Sequence, residues 1–216
     1  MTQKKREQGR PRSAEIDRRI LRAAMRVMAR EGYAGMSIEG VAAEAGVSRP
    51  TIYLRYPGKA ELATAALAAY RERGQPEEAG NTREDLIARL RHFRSGVERP
   101  FGMAMLGSVL AEEQSTPELL RLFRERLVEP RRKELREVLE HARERGELRE
   151  DSNIEAAVNM LVGSYYAQYL AGTPFSDDWP EAIVETILSG LQAIEPRVGL
   201  AVPSEEPQSL FGKGEG

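Results

Sequence analysis

Within eight residues of this chain, Ser48, Arg49, Thr51, Tyr53 and Arg55 gather three hydroxyls and two guanidiniums. No acid–base partner stands beside any hydroxyl, and no set of metal ligands is present in the stretch. These are hydrogen-bond donors and cations, the groups that read phosphates and base edges: arginine pairs with guanine or phosphate, a threonine methyl meets thymine, and a tyrosine hydroxyl donates to phosphate. Lys59 follows directly after Pro57 and Gly58, where a new helix would start and its first amides would favour an anion. Each residue also has a plainer reading. Tyr53 fits packing of one helix on another, Arg49, Arg55 and Lys59 fit a solvated surface, and Thr51 fits a helix start.

Other chemistry finds little support. There is no cysteine, which excludes disulfides, thiolate metal sites and a thiol nucleophile. His92 and His141 sit on charged helical stretches without an acidic pair at metal-ligand spacing and read as surface or packing residues. Glu112 and Glu113 are adjacent and so point apart on a helix. No strand precedes a glycine-rich loop. No enzymatic site, metal or cofactor is expected. The charge distribution favours a polyanion partner instead: residues 1–59 carry 13 Lys and Arg against 6 Asp and Glu, a balance of +7, whereas the remainder carries 19 against 28, or −9.

The elements that must position these residues follow from hydrophobic period. Residues 1–12 form a basic arm, expected to be flexible, that includes Arg10 and Arg12. Residues 13–58 form a three-helix unit: a first helix from Ser13 to Glu31, stopped by Gly32; a second opened by Ser37; and a third from Ser48 to about Leu54, after a turn at Gly46. Ala42, Ala43 and Ala45 are small where two helices cross, and Val47, Ile52 and Tyr56 fall where they pack inward. A connecting helix spans 59–73, and GQPEEAGN at 74–81 reads as a linker. Helices are expected at about 82–97, 101–113, 117–129, 131–146, 153–171 and 178–194, with Pro130 parting the third and fourth. The tail 195–216 is rich in Pro, Gly, Ser and Glu and is expected to be disordered. The fold class is all-α, an N-terminal helix-turn-helix domain followed by a C-terminal helical domain at 82–194. No apolar run spans a membrane and no secretory signal is visible, so a cytoplasmic protein is expected.

Residues 16–62, with ILRAAMRVMAREGYAGMSIEGVAAEAGVSRPTIYLRYPGKAEL at 20–62, resemble the DNA-binding domain of the TetR family of repressors. Gly32 and Tyr33 close helix one, Ser37 and Ile38 open helix two, and GVS, TIY and GK follow at the family's intervals. The resemblance implies a recognition helix over Ser48–Tyr53, Tyr53 as a phosphate clamp and Lys59 as a further backbone contact. Arg55 and Tyr56 depart from the family's His and Phe, and Arg55 thereby becomes a candidate extra phosphate contact. Ser37, Arg10 and Arg12 complete the candidate DNA-binding set. One recognition helix per chain points to a homodimer reading a palindromic double-stranded DNA operator, with repression as the family's default. For dimerisation, the last two helices offer Ile154, Ala157, Val158, Leu161 and Val162, and Ile183, Ile187, Leu188 and Leu191; the same stripes also fit an intrachain core. Phe93, Phe101, Met103, Met105, Leu106, Leu122, Phe123, Tyr165, Tyr166 and Tyr169 fall on different helices and form the candidate lining for a small hydrophobic effector, with core packing as the alternative. Control by a protein partner, or none, is the rival reading.

Overall fold

The structure, a computed structural model, describes residues 10–98 and 102–191, and among them regular structure is helical throughout, without a strand. The candidates Phe101 and the side chains of Arg10 and Arg12, the first nine arm residues and the 195–216 tail lie outside the described residues. Helix α1 (Arg10–Gly35) starts three residues before the expected Ser13 and places Ile20, Ala23, Ala24 and Val27 in the core on one helical stripe. Gly32 interrupts it with a φ of 69°, and one more turn carries Tyr33 into the core.

Helix α2 (Ile38–Ala45) begins where the Ser37 hydroxyl accepts from the Gly40 amide at 3.0 Å. It ends at Gly46, in the left-handed region at φ 63°, with the Val47 amide reaching the Ala42 carbonyl at 3.0 Å. Ala42 and Ala45 are buried at the α1 crossing, but Ala43 is exposed, because at helical spacing it points away from the stripe formed by Ile38, Val41, Ala42 and Ala45. A β-carbon on Gly46 would also stand 3.1 Å from Arg19 Nη2, which donates to the Ala45 carbonyl at 2.7 Å. Gly46→Ala is therefore expected to cost about 1–2 kcal/mol, from the left-handed backbone alone, read as a fall of several degrees in Tm by calorimetry. An unchanged Tm would mean that the turn relaxes at no cost.

Helices α3 (Arg49–Tyr53) and α4 (Lys59–Arg71) complete the head. The body comprises α5 (Thr82–Val97), α6 (Gly102–Ala111), α7 (Pro117–Phe123), α8 (Glu129–Glu144), α9 (Ile154–Ala171) and α10 (Trp179–Leu191). Pro130 does not part α7 from α8 as expected. The chain stays helical through a π turn at Arg124–Val128. Proline lacks the amide that the Arg126 carbonyl would use and crowds that carbonyl, and a widened turn accommodates both. Arg126 then fixes the turn to α4, donating to the Glu61 carbonyl at 2.9 Å and to Thr64 Oγ1 at 2.8 Å.

Two hydrophobic cores result, and they do not follow the chain order. The first joins α1–α4 with Met105 and Val109 of α6 and Leu119, Leu120 and Leu122 of α7; the second joins α5, α8, α9 and α10. The 82–194 segment is thus shared between both cores. Ile154, Ala157, Val158 and Leu161 of α9, with Ile187 and Leu188 of α10, lie in the second core, so the expected dimer stripes are intrachain packing. The two helices bury their largest apolar faces against α5 and α8, since a lone chain has no other way to remove them from water. No helix among the described residues is long and apolar enough to cross a membrane.

Candidate nucleic-acid interface and ligand cavity

Helix α3 is held by its inward side. Ile52 is fully buried, and Val47 and Tyr56 pack half-buried against the same core. Ser48, Arg49 and Tyr53 are left exposed, with Tyr53 showing half its surface. Ser48 Oγ caps the helix at the Thr51 amide (3.4 Å) and lies 2.8 Å from Thr51 Oγ1, so these two hydroxyls fix the start of α3. Ser37 similarly spends its oxygen on the α2 cap. Arg49 reaches across to Glu39 of α2 in an exposed ion pair. Glu39's own backbone amide first, then Arg49, hold that carboxyl below the usual carboxylate range. The pair is open to solvent and screened, so the arginine is readily surrendered to a stronger anion.

Arg55 and Lys59 are placed differently from expectation. Arg55 turns inward: its Nε lies 3.0 Å from Asp17 of α1 and its Nη1 donates to the Thr51 carbonyl at 3.0 Å, leaving the side chain one-fifth exposed. Its guanidinium braces α3 against α1. Tyr56 sits over the same carboxylate; burial first and Asp17 second push its hydroxyl up to about 12, so it stays neutral. Lys59 Nζ donates to the Ala34 carbonyl at 3.0 Å and lies 4.4 Å over the Tyr33 ring, while burial lowers its pKa. The ammonium docks α4 on the end of α1. What faces outward at this corner is the first turn of α4, whose N-cap Gly58 supplies no side chain to its amides. Leu54, missed from the sequence, ends α3 with 84% of its surface exposed, an apolar group beside Tyr53.

A cavity of about 100 Å³ lies at the seam of the two cores. Met25 of α1 and Leu67 and Tyr70 of α4 close it from the head, and His92, Met105, Leu106, Phe123, Arg131 and Tyr166 close it from the body. A recess of about 300 Å³ adjoins it and shares Leu106, Phe123, Arg131 and Tyr166. Of the sequence candidates, Met105, Leu106, Phe123 and Tyr166 meet here. Phe93 and Tyr165 are instead core, with ring centroids 5.3 Å apart and Phe175 stacked on Tyr165 at 4.5 Å. Met103 packs on the second core, Leu122 is buried in the first, and Tyr169 is exposed. A wide solvent-open groove between α1 and α4 holds more volume but encloses nothing.

His92 and Arg131, like Met25, Leu67, Tyr70 and Leu127, are lining residues that sequence reasoning missed. His92 Nε2 lies 3.0 Å from the Arg71 carbonyl. Arg131 precedes Leu135, Leu139 and Ala142 at helical spacing, and a cation on an apolar stripe was the signal that marked it.

A capped turn that presents an exposed α3 from a small helical head, joined by α4 to a helical body, defines a helix-turn-helix DNA-binding transcriptional regulator. Residues 20–66 match the family model for bacterial regulatory proteins of the tetR family, and residues 76–187 match the tetracyclin repressor-like C-terminal domain; the chain belongs to the TetR family. It is 28% identical over 195 residues to the uncharacterized HTH-type transcriptional regulator YdeS of Bacillus subtilis, covering 86% of this chain and 94% of that protein. It is 42% identical over 77 residues, 35% of this chain and 40% of the relative, to the DNA-binding transcriptional repressor TetR of Mycobacteroides abscessus. Among solved structures, the TetR family transcription regulator SCO0332 superposes with a TM-score of 0.67 at 31% identity, over 83% of this chain and all of the other. These relatives are transcriptional regulators, not enzymes.

Proposed function

We propose that the protein is a repressor that binds a palindromic operator as a homodimer and leaves it when a small, largely apolar molecule fills the cavity at the seam. The observation that carries this reading is that the cavity is walled by α1 and α4 of the head as well as by five elements of the body. Helix α4 runs from the Lys59 corner to Arg71, which is ion-paired to Glu134 of α8 and whose carbonyl meets His92. A ligand that spreads the seam tilts α4 and with it the head, and two heads so moved no longer match successive major grooves about 34 Å apart. Only preferential binding to the tilted state does this: shifting the population from 99:1 to 1:99 takes about 10⁴-fold preference, shared by two cavities. The Mycobacteroides abscessus relative is named a repressor, which accords with the sign of regulation. Its place of action is the cytoplasm, where bacterial DNA lies.

The dimer face in this reading is the exposed side of α9 and α10. Ala156, Met160, Gly163, Ala167 and Leu170 recur at steps of three and four on α9, and Ala182, Thr186 and Ser189 on α10. The test is a gel-shift with the protein's own promoter region, followed by a compound screen for operator release. A shift at low salt, abolished by at least one compound that also raises Tm, is expected. No shift with folded protein counts against DNA regulation; a shift that no compound releases favours control by a protein partner or none.

Single substitutions in the head separate the roles. Tyr53→Ala is expected to weaken all operator sequences alike by about tenfold, the loss of one hydrogen bond to a charged phosphate. Arg55→Gln is expected to leave the salt slope of binding unchanged and to lower Tm instead, because its partners are Asp17 and Thr51. A salt slope reduced by about one per chain on Arg55→Gln would return that arginine to the DNA interface.

A further inference from the structure

Among the polar residues of the cavity wall, Arg71 is paired with Glu72 and Glu134, Arg73 lies over the Tyr70 ring and His92 meets the Arg71 carbonyl, whereas Arg131 has no paired carboxylate among the described residues. Helix α8 turns it inward on the stripe that continues through Leu135, Leu139 and Ala142, all buried. Its guanidinium carbon lies 4.5 Å from the Phe93 ring centroid. Among the described residues no carboxylate pairs with it and no carbonyl accepts from it. Glu134, whose charge reaches it, is held by Arg71, which also takes Glu72. The cavity wall contains no aspartate or glutamate, and Arg131 borders the cavity, the adjoining recess and a small pocket behind Phe93, so its donors face space on several sides. Removing a cation from water without a partner is expensive, and burial accordingly holds the Arg131 pKa down.

We infer that the cavity takes an amphipathic acid, one carboxylate on an apolar body, with the carboxylate on the Arg131 guanidinium and the body along Met105, Leu106, Phe123 and Leu127. This rests on the cavity being the effector site and adds the class of effector. The planar fork of arginine matches a carboxylate with two parallel hydrogen bonds, and a dry wall makes each stronger than in water. Met25, Leu67, Met105, Leu106, Phe123 and Leu127 give the wall thioether, aliphatic and aromatic surface that suits a chain or ring, while Arg71, Arg73, His92 and Ser95 form its polar edge. Cavity and recess together reach the lower end of ligand-pocket sizes, roughly 300–1,000 Å³.

The test is calorimetric titration of the full chain with decanoate, decanol and decylammonium. Decanoate is expected to bind at least about tenfold more tightly than decanol, and decylammonium more weakly than either, the size of effect one charge-assisted bidentate pair supplies. Arg131→Met is expected to lose that preference, to keep decanol binding within about twofold, and to leave Tm unchanged or higher, because it removes a half-buried cation that has no paired carboxylate among the described residues. A purely structural arginine would lower Tm on the same change and leave the acid preference intact. Arg131→Lys keeps the charge without the fork and is expected to retain part of the preference, which keeps the comparison readable if the methionine variant does not fold. Equal affinity for decanoate and decanol, or a preference that survives Arg131→Met, overturns the acid assignment and leaves the effector cavity standing. Binding of neither compound overturns the effector reading itself, and the acid assignment with it.

Discussion

Ala167→Glu is expected to convert the protein to a monomer and to weaken operator binding by a hundredfold or more. Ala167 lies midway along the exposed face of α9, between Met160, half of whose surface is exposed, and Leu170, at 82%. A β-carbon built on Gly163 or on Gly190 of α10 meets nothing within 4 Å, so the space over both helices is open in the single chain. Small residues along such a face let two copies approach closely, and about a two-fold axis each substituted carboxylate would be desolvated near its own copy. Without the interface, the second half-site contact loses the effective concentration of a tether, which is worth about 10²–10⁴ in avidity. Sedimentation should show a single chain, and helical content by circular dichroism should be kept because the position is exposed in the single chain, while Tm falls by the stabilisation that association supplied. A variant that still sediments as a dimer with full affinity would place the interface elsewhere. Leu188→Glu makes no such test: Leu188 is 8% exposed in the second core, and its loss unfolds the body first.

Arg49→Ala is expected to relax discrimination at one base pair in each half-site, costing about 1–3 kcal/mol per half-site and twice that for the symmetric dimer. Arg49 is the exposed guanidinium on α3, and among the described residues its side chain is tied by the solvent-open pair with Glu39. Releasing Glu39 costs the folded protein little, so the loss should appear in binding and not in Tm. Titration of operators substituted one base pair at a time decides the matter: a loss confined to one position per half-site, with the salt slope nearly kept, supports base readout. A uniform loss across all sequences, with a slope reduced by one per chain, would falsify it and make Arg49 a phosphate contact.

The head was legible because its signals are local. Ser37 and Ser48 stand before their helices as caps, Gly46 supplies the left-handed turn, and Ile52 falls on the one face of α3 that a crossing helix must cover. The cavity was legible only in part, since Met105, Leu106, Phe123 and Tyr166 share their chemistry with Phe93 and Tyr165, and period alone cannot say which aromatic faces a void and which faces a neighbour. The intrachain contacts of Arg55 and Lys59 were not legible for the converse reason: a cation in a motif looks free until Asp17 and the Ala34 carbonyl, 38 and 25 residues away in sequence, come within reach.

By itself the sequence determined the helices, their caps, the absence of thiol chemistry and the basic head on an acidic body, because each depends on contacts within a few residues or on composition. Tertiary structure alone decided that α6 and α7 join the core of the head, that the apolar stripes of α9 and α10 are spent within the chain, and that Arg131 faces a void with no carboxylate paired to it among the described residues. A stripe records only that a face must leave water. Which neighbour covers it depends on every other stripe in the chain, and that competition is settled by packing between residues distant in sequence.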